Sequence, residues 1–183
     1  MRARKGMEKV GKYEIVKELG HGATSTVYLA LDPFNQQQVA LKVFNLDVLH
    51  DNTRAKAYRK LLLTEASLAG KLSHPHIVKI FDADMDGEIN YMVMEYIEGE
   101  TLEQYGEVDH LMPLGRIAEV IYKCCKALEY AQYQGVTHRD IKPANILLQG
   151  DSDIKISDFG SAVIESQQTT QVTGVGSPAY MSP

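Results

Sequence analysis

The residues from His138 to Gly160, HRDIKPANILLQGDSDIKISDFG, constrain this chain more than any other stretch. They set down Asp140, Lys142, Asn145 and Asp158, which are a candidate base, a cation and two oxygen ligands for a hard metal. Ile146–Leu148 and Ile154–Ser157 flank Gly150-Asp151, and that pattern predicts a small hairpin fixing the spacing between the two oxygen ligands. Each residue alone has an ordinary explanation: Asp140 as a cap, Asn145 as a turn former, Asp158 as a loop acid. The compound spacing HRD-x-K-x-x-N, then DFG 13 residues after the Asn, is what chance rarely produces.

The chain before this stretch opens as sheet. Residues 1–10 read as a polar lead-in. YEIVKEL, TVYLAL and QVALKVF alternate apolar and polar residues, with Asp32-Pro33 opening a turn between the second and third. Gly20 and Gly22 lie between the first two strands; taken alone such a pair is more often simply a turn, and the functional reading is that a missing Cβ lets backbone N–H groups approach phosphate oxygens. This loop leads into a strand, which excludes the dinucleotide-binding reading that needs a helix there. Ala40 and Lys42 share one face of the third strand.

Residues 51–72 predict a helix capped by Asp51 or Asn52, with Leu61, Leu62, Leu68, Ala69 and Leu72 in its stripe. Glu65 falls within that stripe and needs a partner if it faces the core, and Lys42 is the candidate. His74-Pro75 ends the helix. HIVKIFDADMD and EINYMVMEYI complete a five-stranded sheet. After Gly99 the character turns helical. TLEQYGEV predicts a short helix. A longer one runs from near Pro113 to Gln134, stops at Gly135, and carries the stripe Leu114, Ile117, Ile121, Cys124 and Leu128.

Composition narrows the partners. A net charge of -5 over 183 residues gives no global basic field for nucleic acid or an anionic membrane. No apolar run approaches the ~20 residues of a membrane span, and no apolar segment follows the basic start to make a signal peptide. Cys124 and Cys125 are adjacent and suit a reducing cytoplasm better than a disulfide.

The compound motif resembles the catalytic loop and metal-binding segment of the eukaryotic-type protein kinases, whose working parts are a well-described template. The glycine loop, Val39-Ala40-Leu41-Lys42 and Glu65 extend the resemblance over about residues 13–183. It is closest in style to the bacterial serine/threonine-directed members. It implies a bilobal α+β fold: an N-lobe at 11–94 with a five-stranded antiparallel sheet and one helix, a hinge at 95–98, and a mainly helical C-lobe at 99–183. Within the C-lobe it implies a catalytic loop at 138–145, DFG at 158–160 and an activation segment at 158–183. It implies ATP and Mg2+ as cofactors and a protein Ser/Thr hydroxyl as acceptor. By the resemblance Asp140 orients the attacking hydroxyl, Lys142 meets the γ-phosphate, and Asn145 and Asp158 hold Mg2+. Lys42, paired with Glu65, meets the α/β-phosphates. Leu19, Gly20, His21, Gly22, Ser25 and Val27 cover the nucleotide, with Ser25 where the family has a third glycine. Ala40, Val27 and Leu147 sandwich the adenine, Met94 backs it, and Glu95 to Ile97 read its edge.

Lys142 and the Gly176-Ser177-Pro178-Ala179-Tyr180 loop resemble the serine/threonine branch. Arg139 is where that family pairs with an activation-segment phosphate, for which Thr169, Thr170 and Thr173 are candidates, with phosphorylation possible in trans by another copy. Ser182-Pro183 stands where the family has A-P-E, so the C-lobe reads as truncated and its long helix is expected to expose apolar area. The competing readings are a nucleotide-binding, non-catalytic fragment and a small-molecule kinase.

Overall fold

The computed structural model describes residues 8–22, 24–45, 59, 62–63, 66–85, 87–150, 153–159 and 178–180. The chain divides into two compact units, Met1–Ala66 with Ile80–Tyr96, and Ser67–Lys79 with Ile97–Pro183.

The first unit is built on an antiparallel sheet. Its strands are β1 (Lys9–Val10), β2 (Tyr13–His21), β3 (Ser25–Leu31), β4 (Gln38–Phe44), β5 (Ile80–Asp84) and β6 (Asn90–Glu95), in spatial order β1-β2-β3-β4-β6-β5. The alternation read from the sequence is realised in the register. Val39 and Leu41 point into a cluster with Val10, Tyr13, Ala30, Tyr91 and Val93, while Ala40 and Lys42 take the opposite face. The sheet curls around that cluster. Tyr13 on β2 meets Tyr91 on β6 edge-on, with ring centroids 6.0 Å apart, and its hydroxyl reaches the Asp82 carboxylate on β5 at 3.5 Å.

Five strands were expected and six are present. The addition is β1, inside the stretch read as a polar lead-in. Val10 is its one apolar residue and is fully buried, and Gly11 reverses the chain at φ +54° so that Val10 pairs with Tyr13. The β3–β4 turn follows its Asp-Pro signal. Asp32 accepts from Phe34 N–H at 2.9 Å, and Gln36 adopts φ +58°.

Helix is present at residues 62–63 and 66–69, within the predicted 51–72. The strand expected from residue 76 begins only at Ile80. Residues 76–78 instead join the second unit, where Ile156 N–H donates to the His76 carbonyl at 2.9 Å and Val78 N–H donates to the Ile156 carbonyl at 3.0 Å.

In the second unit the short helix expected at 101–108 is two 3-10 turns, Leu102–Tyr105 and Val108–His110. The long helix spans Leu114–Tyr133. Gly135 ends it at φ +74°, with Val136 N–H reaching back to the Ala131 carbonyl and Gly135 N–H to that of Gln132. Both bonds are those of a left-handed glycine cap. The buried face is Val120, Cys124, Ala127 and Ala131, which keeps Cys124 of the expected stripe and turns away from the rest of it. Leu114 is 84% and Ile121 56% exposed. Small residues line the buried face and let the backbone approach its neighbours closely, so the bulkier apolar side chains fall on the flank. β7 (Ile146–Gln149) and β8 (Asp153–Ile156) form the predicted hairpin, with Gly150 at φ +60°. Among the described residues no helix is long and apolar enough to cross a membrane.

Candidate active site

Two groups of candidate residues are assembled, one within each unit. In the first, cross-strand register does the work. Val27 pairs with Lys42 and Lys42 with Met92, while Leu29 pairs with Ala40 and Ala40 with Met94. Directly opposed residues in a sheet share a face, so Val27, Ala40, Lys42 and Met94 stand together. Ala40 leaves a shallow place between Leu29 and Met94. Lys42 is buried, with its Nζ 6.0 Å from the centre of the Phe44 ring.

The glycine loop closes the β2–β3 hairpin. Gly20 pairs with Val27 and His21 with Thr26, and Gly22 N–H donates to the Ser25 carbonyl at 2.8 Å. Leu19, Gly20, His21 and Gly22 are exposed and Ser25 is half-buried. His21 Nδ1 lies 3.1 Å from Glu18, so this side chain rests against its own strand. Glu95 closes β6 opposite Val39. Glu65, the expected partner of Lys42, lies outside the described residues.

In the second unit a short loop gathers the polar candidates. Asp140 is buried, and its carboxylate takes Lys142 Nζ at 2.8 Å and the Asn145 side-chain amide at 3.2 Å. The same amide donates to the Asp140 carbonyl at 2.8 Å. Pro143–Asn145 is a 3-10 turn whose Asn145 N–H closes onto the Lys142 carbonyl. Ser157 then ties the loop to the end of β8, donating its N–H to the Asn145 carbonyl at 2.9 Å. Asp158 follows at φ +61° and Arg139 sits at φ +68°. Left-handed backbone at a non-glycine residue costs on the order of 1 kcal/mol and is held by its surroundings. Ile97 is buried. Leu147 is the half-buried member of β7, between buried Ile146 and Leu148.

One contributor was not foreseen. His138 Nδ1 accepts from Asp140 N–H at 3.2 Å, so Nε2 carries the proton and donates to the Ser157 carbonyl at 2.8 Å. Its ring also meets Phe159 edge-on at 4.6 Å. Burial pushes the imidazole below its ordinary pKa, against the opposing pull of the Ser157 carbonyl and of Asp158 and Asp140. A neutral His138 therefore stitches the backbone of Asp140 to the segment carrying Asp158. A histidine two residues before a candidate base was the only sequence signal for it. Gly160, the activation-segment candidates Thr169, Thr170 and Thr173, and Ser177 lie outside the described residues. Tyr180 is exposed in a 3-10 turn, Pro178–Tyr180.

A family profile described as the protein kinase domain matches residues 13–183. The chain belongs to the protein kinase family. Among the kinases it is 36% identical over 174 residues to a probable serine/threonine-protein kinase of Clostridium acetobutylicum, covering 94% of this chain and 26% of that protein. It is likewise 36% identical to serine/threonine-protein kinase PrkC of Bacillus subtilis, with 94% and 26% covered. It is 36% identical to PknB of Mycobacterium leprae, with 94% and 28% covered. The chain thus spans about a quarter of the length of these curated kinases. The crystal structure of the Mycobacterium tuberculosis PknI kinase domain superposes with a TM-score of 0.68 at 30% identity, over 83% of this chain and 61% of that one. The fold is accordingly the α+β kinase fold.

Proposed function

We propose that this chain carries the phosphoryl-transfer site of a protein serine/threonine kinase, moving the γ-phosphate of Mg-ATP to Ser or Thr hydroxyls of proteins, itself included. The observation that carries the reading is the buried Asp140 held between Lys142 and Asn145. Phosphoryl transfer needs positioning and charge neutralisation more than covalent chemistry. Asp140, oriented by two charge-assisted contacts, would take the proton of the attacking hydroxyl. Lys142 would lie against the transferring phosphoryl group, and Lys42 against the α/β-phosphates on the sheet face with Val27, Ala40 and Met94.

The donor set fits magnesium. The Asn145 amide nitrogen is engaged by Asp140, which leaves its oxygen, with the Asp158 carboxylate, as the hard donors such a cation prefers. Magnesium, when bound, supplies neutralisation of charge on the phosphate oxygens. Thr173, Thr170 or Thr169 would take a phosphate that pairs with Arg139 and orders the activation segment. The two free thiols fit work in the cytoplasm.

Labelled γ-phosphate offered with Mg2+ to the chain and to a generic basic protein tests the proposal. Incorporation that vanishes in Asp140→Asn supports a kinase. Nucleotide binding with no transfer, in this chain and in one extended past Pro183, would support the non-catalytic reading instead.

A further inference from the structure

Gly99 lies at a bend after β6 that any residue's backbone could adopt. Its φ lies outside the left-handed region, yet a Cβ built on it would overlap the Leu148 carbonyl oxygen and come within 3.2 Å of the Leu148 carbonyl carbon. The obstacle is backbone and cannot swing aside. Around it the chain is clamped to β7. Leu148 N–H donates to the Glu100 carbonyl at 2.8 Å, and Thr101 bridges to Leu147 in antiparallel register. Gly99 is therefore a point where the stretch following Ile97 meets the strand carrying Leu147 backbone to backbone, with no room for a side chain.

We infer that Gly99 is a positioning residue: its missing side chain seats β7 against residues 99–101 and so fixes the height of Leu147 beneath the nucleotide base. The inference rests on the proposed nucleotide site, with Leu147 and the stretch ending at Ile97 as two of its walls. β7 is built to deliver that side chain. Ile146 and Leu148 are buried in the second unit while Leu147 is left half-exposed between them. A methyl at Gly99 forces the two backbones apart by more than a side chain can absorb, and the displacement goes directly into β7. A base lifted from its floor loses alignment with the backbone groups that read its edge. Adenine then suffers more than a base that never matched those groups.

The test uses the whole chain with Gly99→Ala, and Gly115→Ala as control, since Gly115 has open space around it. Dissociation constants for fluorescent Mg-ADP and Mg-GDP are measured, together with hydrogen exchange of the Leu148 amide. In Gly99→Ala the preference for adenine over guanine is expected to fall about threefold, which is about 0.65 kcal/mol. Leu148 exchange is expected to accelerate. Partial unfolding cuts both affinities equally and leaves the ratio untouched, so the ratio separates positioning from simple loss of fold. Leu147→Ala, with Leu148 exchange unchanged, is expected to lower the same ratio without touching the clamp. An unchanged ratio in Gly99→Ala, or unchanged Leu148 protection, overturns the inference. A wild-type chain that binds neither nucleotide overturns the underlying site reading, while the exchange measurement still judges the clamp.

Discussion

The two groups of candidate residues are held in different ways. On the sheet, Val27, Ala40, Lys42 and Met94 are placed by ladders of backbone pairs running through three strands. No single side chain sets their positions. In the loop, Asp140 and its neighbours are placed by individual side-chain bonds from His138, Lys142 and Asn145, with backbone in the left-handed region at Arg139 and Asp158. Placement by register is shared over many bonds and tolerates a lost side chain. Placement by a loop depends on each participant.

The largest test of that contrast is Lys142→Ala. It is expected to lower turnover about a hundred- to a thousand-fold, the usual cost of removing one preorganised stabiliser of a transition state. A steady-state assay showing less than a tenfold loss would put Lys142 outside the chemistry. Next comes stability. His138→Ala removes a bond to Ser157, an acceptor for Asp140 and a ring packed on Phe159, and should cost about 2–4 kcal/mol in denaturant unfolding. Met94→Leu on the sheet keeps its volume and should cost less than about 1.5 kcal/mol. Equal losses would erase the distinction between the regions. Val27→Ala should weaken nucleotide binding only about fivefold, as expected for roughly 1 kcal/mol of apolar contact. Calorimetric titration showing abolished binding would mean the sheet face is as fragile as the loop.

A smaller effect follows from pH. The folded-state pKa of His138 is lowered chiefly by burial. The unfolded chain therefore binds more protons as pH falls below about 6.5, the ordinary histidine value. The associated stability is fully present above that pH and is lost as pH drops through the folded pKa. His74, also lowered chiefly by burial, adds a change of the same sign. Urea midpoints should fall between pH 7.5 and 5.5, and less so in His138→Ala. A flat wild-type profile would contradict the buried neutral tautomer. The mildest expectation concerns the thiols. Burial pushes Cys124 up to about 11 while Cys125 is exposed, so a maleimide reagent at neutral pH should label one thiol quickly and the other only on unfolding.

The sheet could be read from sequence because period-two alternation states which residues share a face, and QVALKVF states it without ambiguity. The β7–β8 hairpin and the Gly135 helix stop were equally plain, since glycine at positive φ has few substitutes. Three features escaped. Val10 is one apolar residue among polar ones, too few to announce a strand. On the long helix the expected stripe was right at Cys124, but packing turned the rest of the buried face towards Val120, Ala127 and Ala131, whose small side chains leave room for close approach. Residues 76–78 looked like the start of a strand and do form extended pairing, but with Ile156 in place of β6. In the candidate site the side chains carrying charge were visible as a motif. The role of His138 was not, because it rests on which ring nitrogen faces which backbone atom.

Among the described residues the spatial order β1-β2-β3-β4-β6-β5 leaves the sheet two open edges, and neither invites another chain. Among the described residues β1 covers only Tyr13 and Glu14, and the rest of β2 carries Lys17 and Glu18 and is irregular at two places. β5 carries Asp82 and Asp84 and is irregular between Ile80 and Asp82. A foreign strand seeking to extend the sheet would meet the irregular, charged length of β2 on one side and carboxylates on a broken ladder on the other. Short, charged or bulged edges are how β-proteins avoid edge-to-edge aggregation, so this sheet should remain soluble at concentrations where a long apolar edge would seed fibrils.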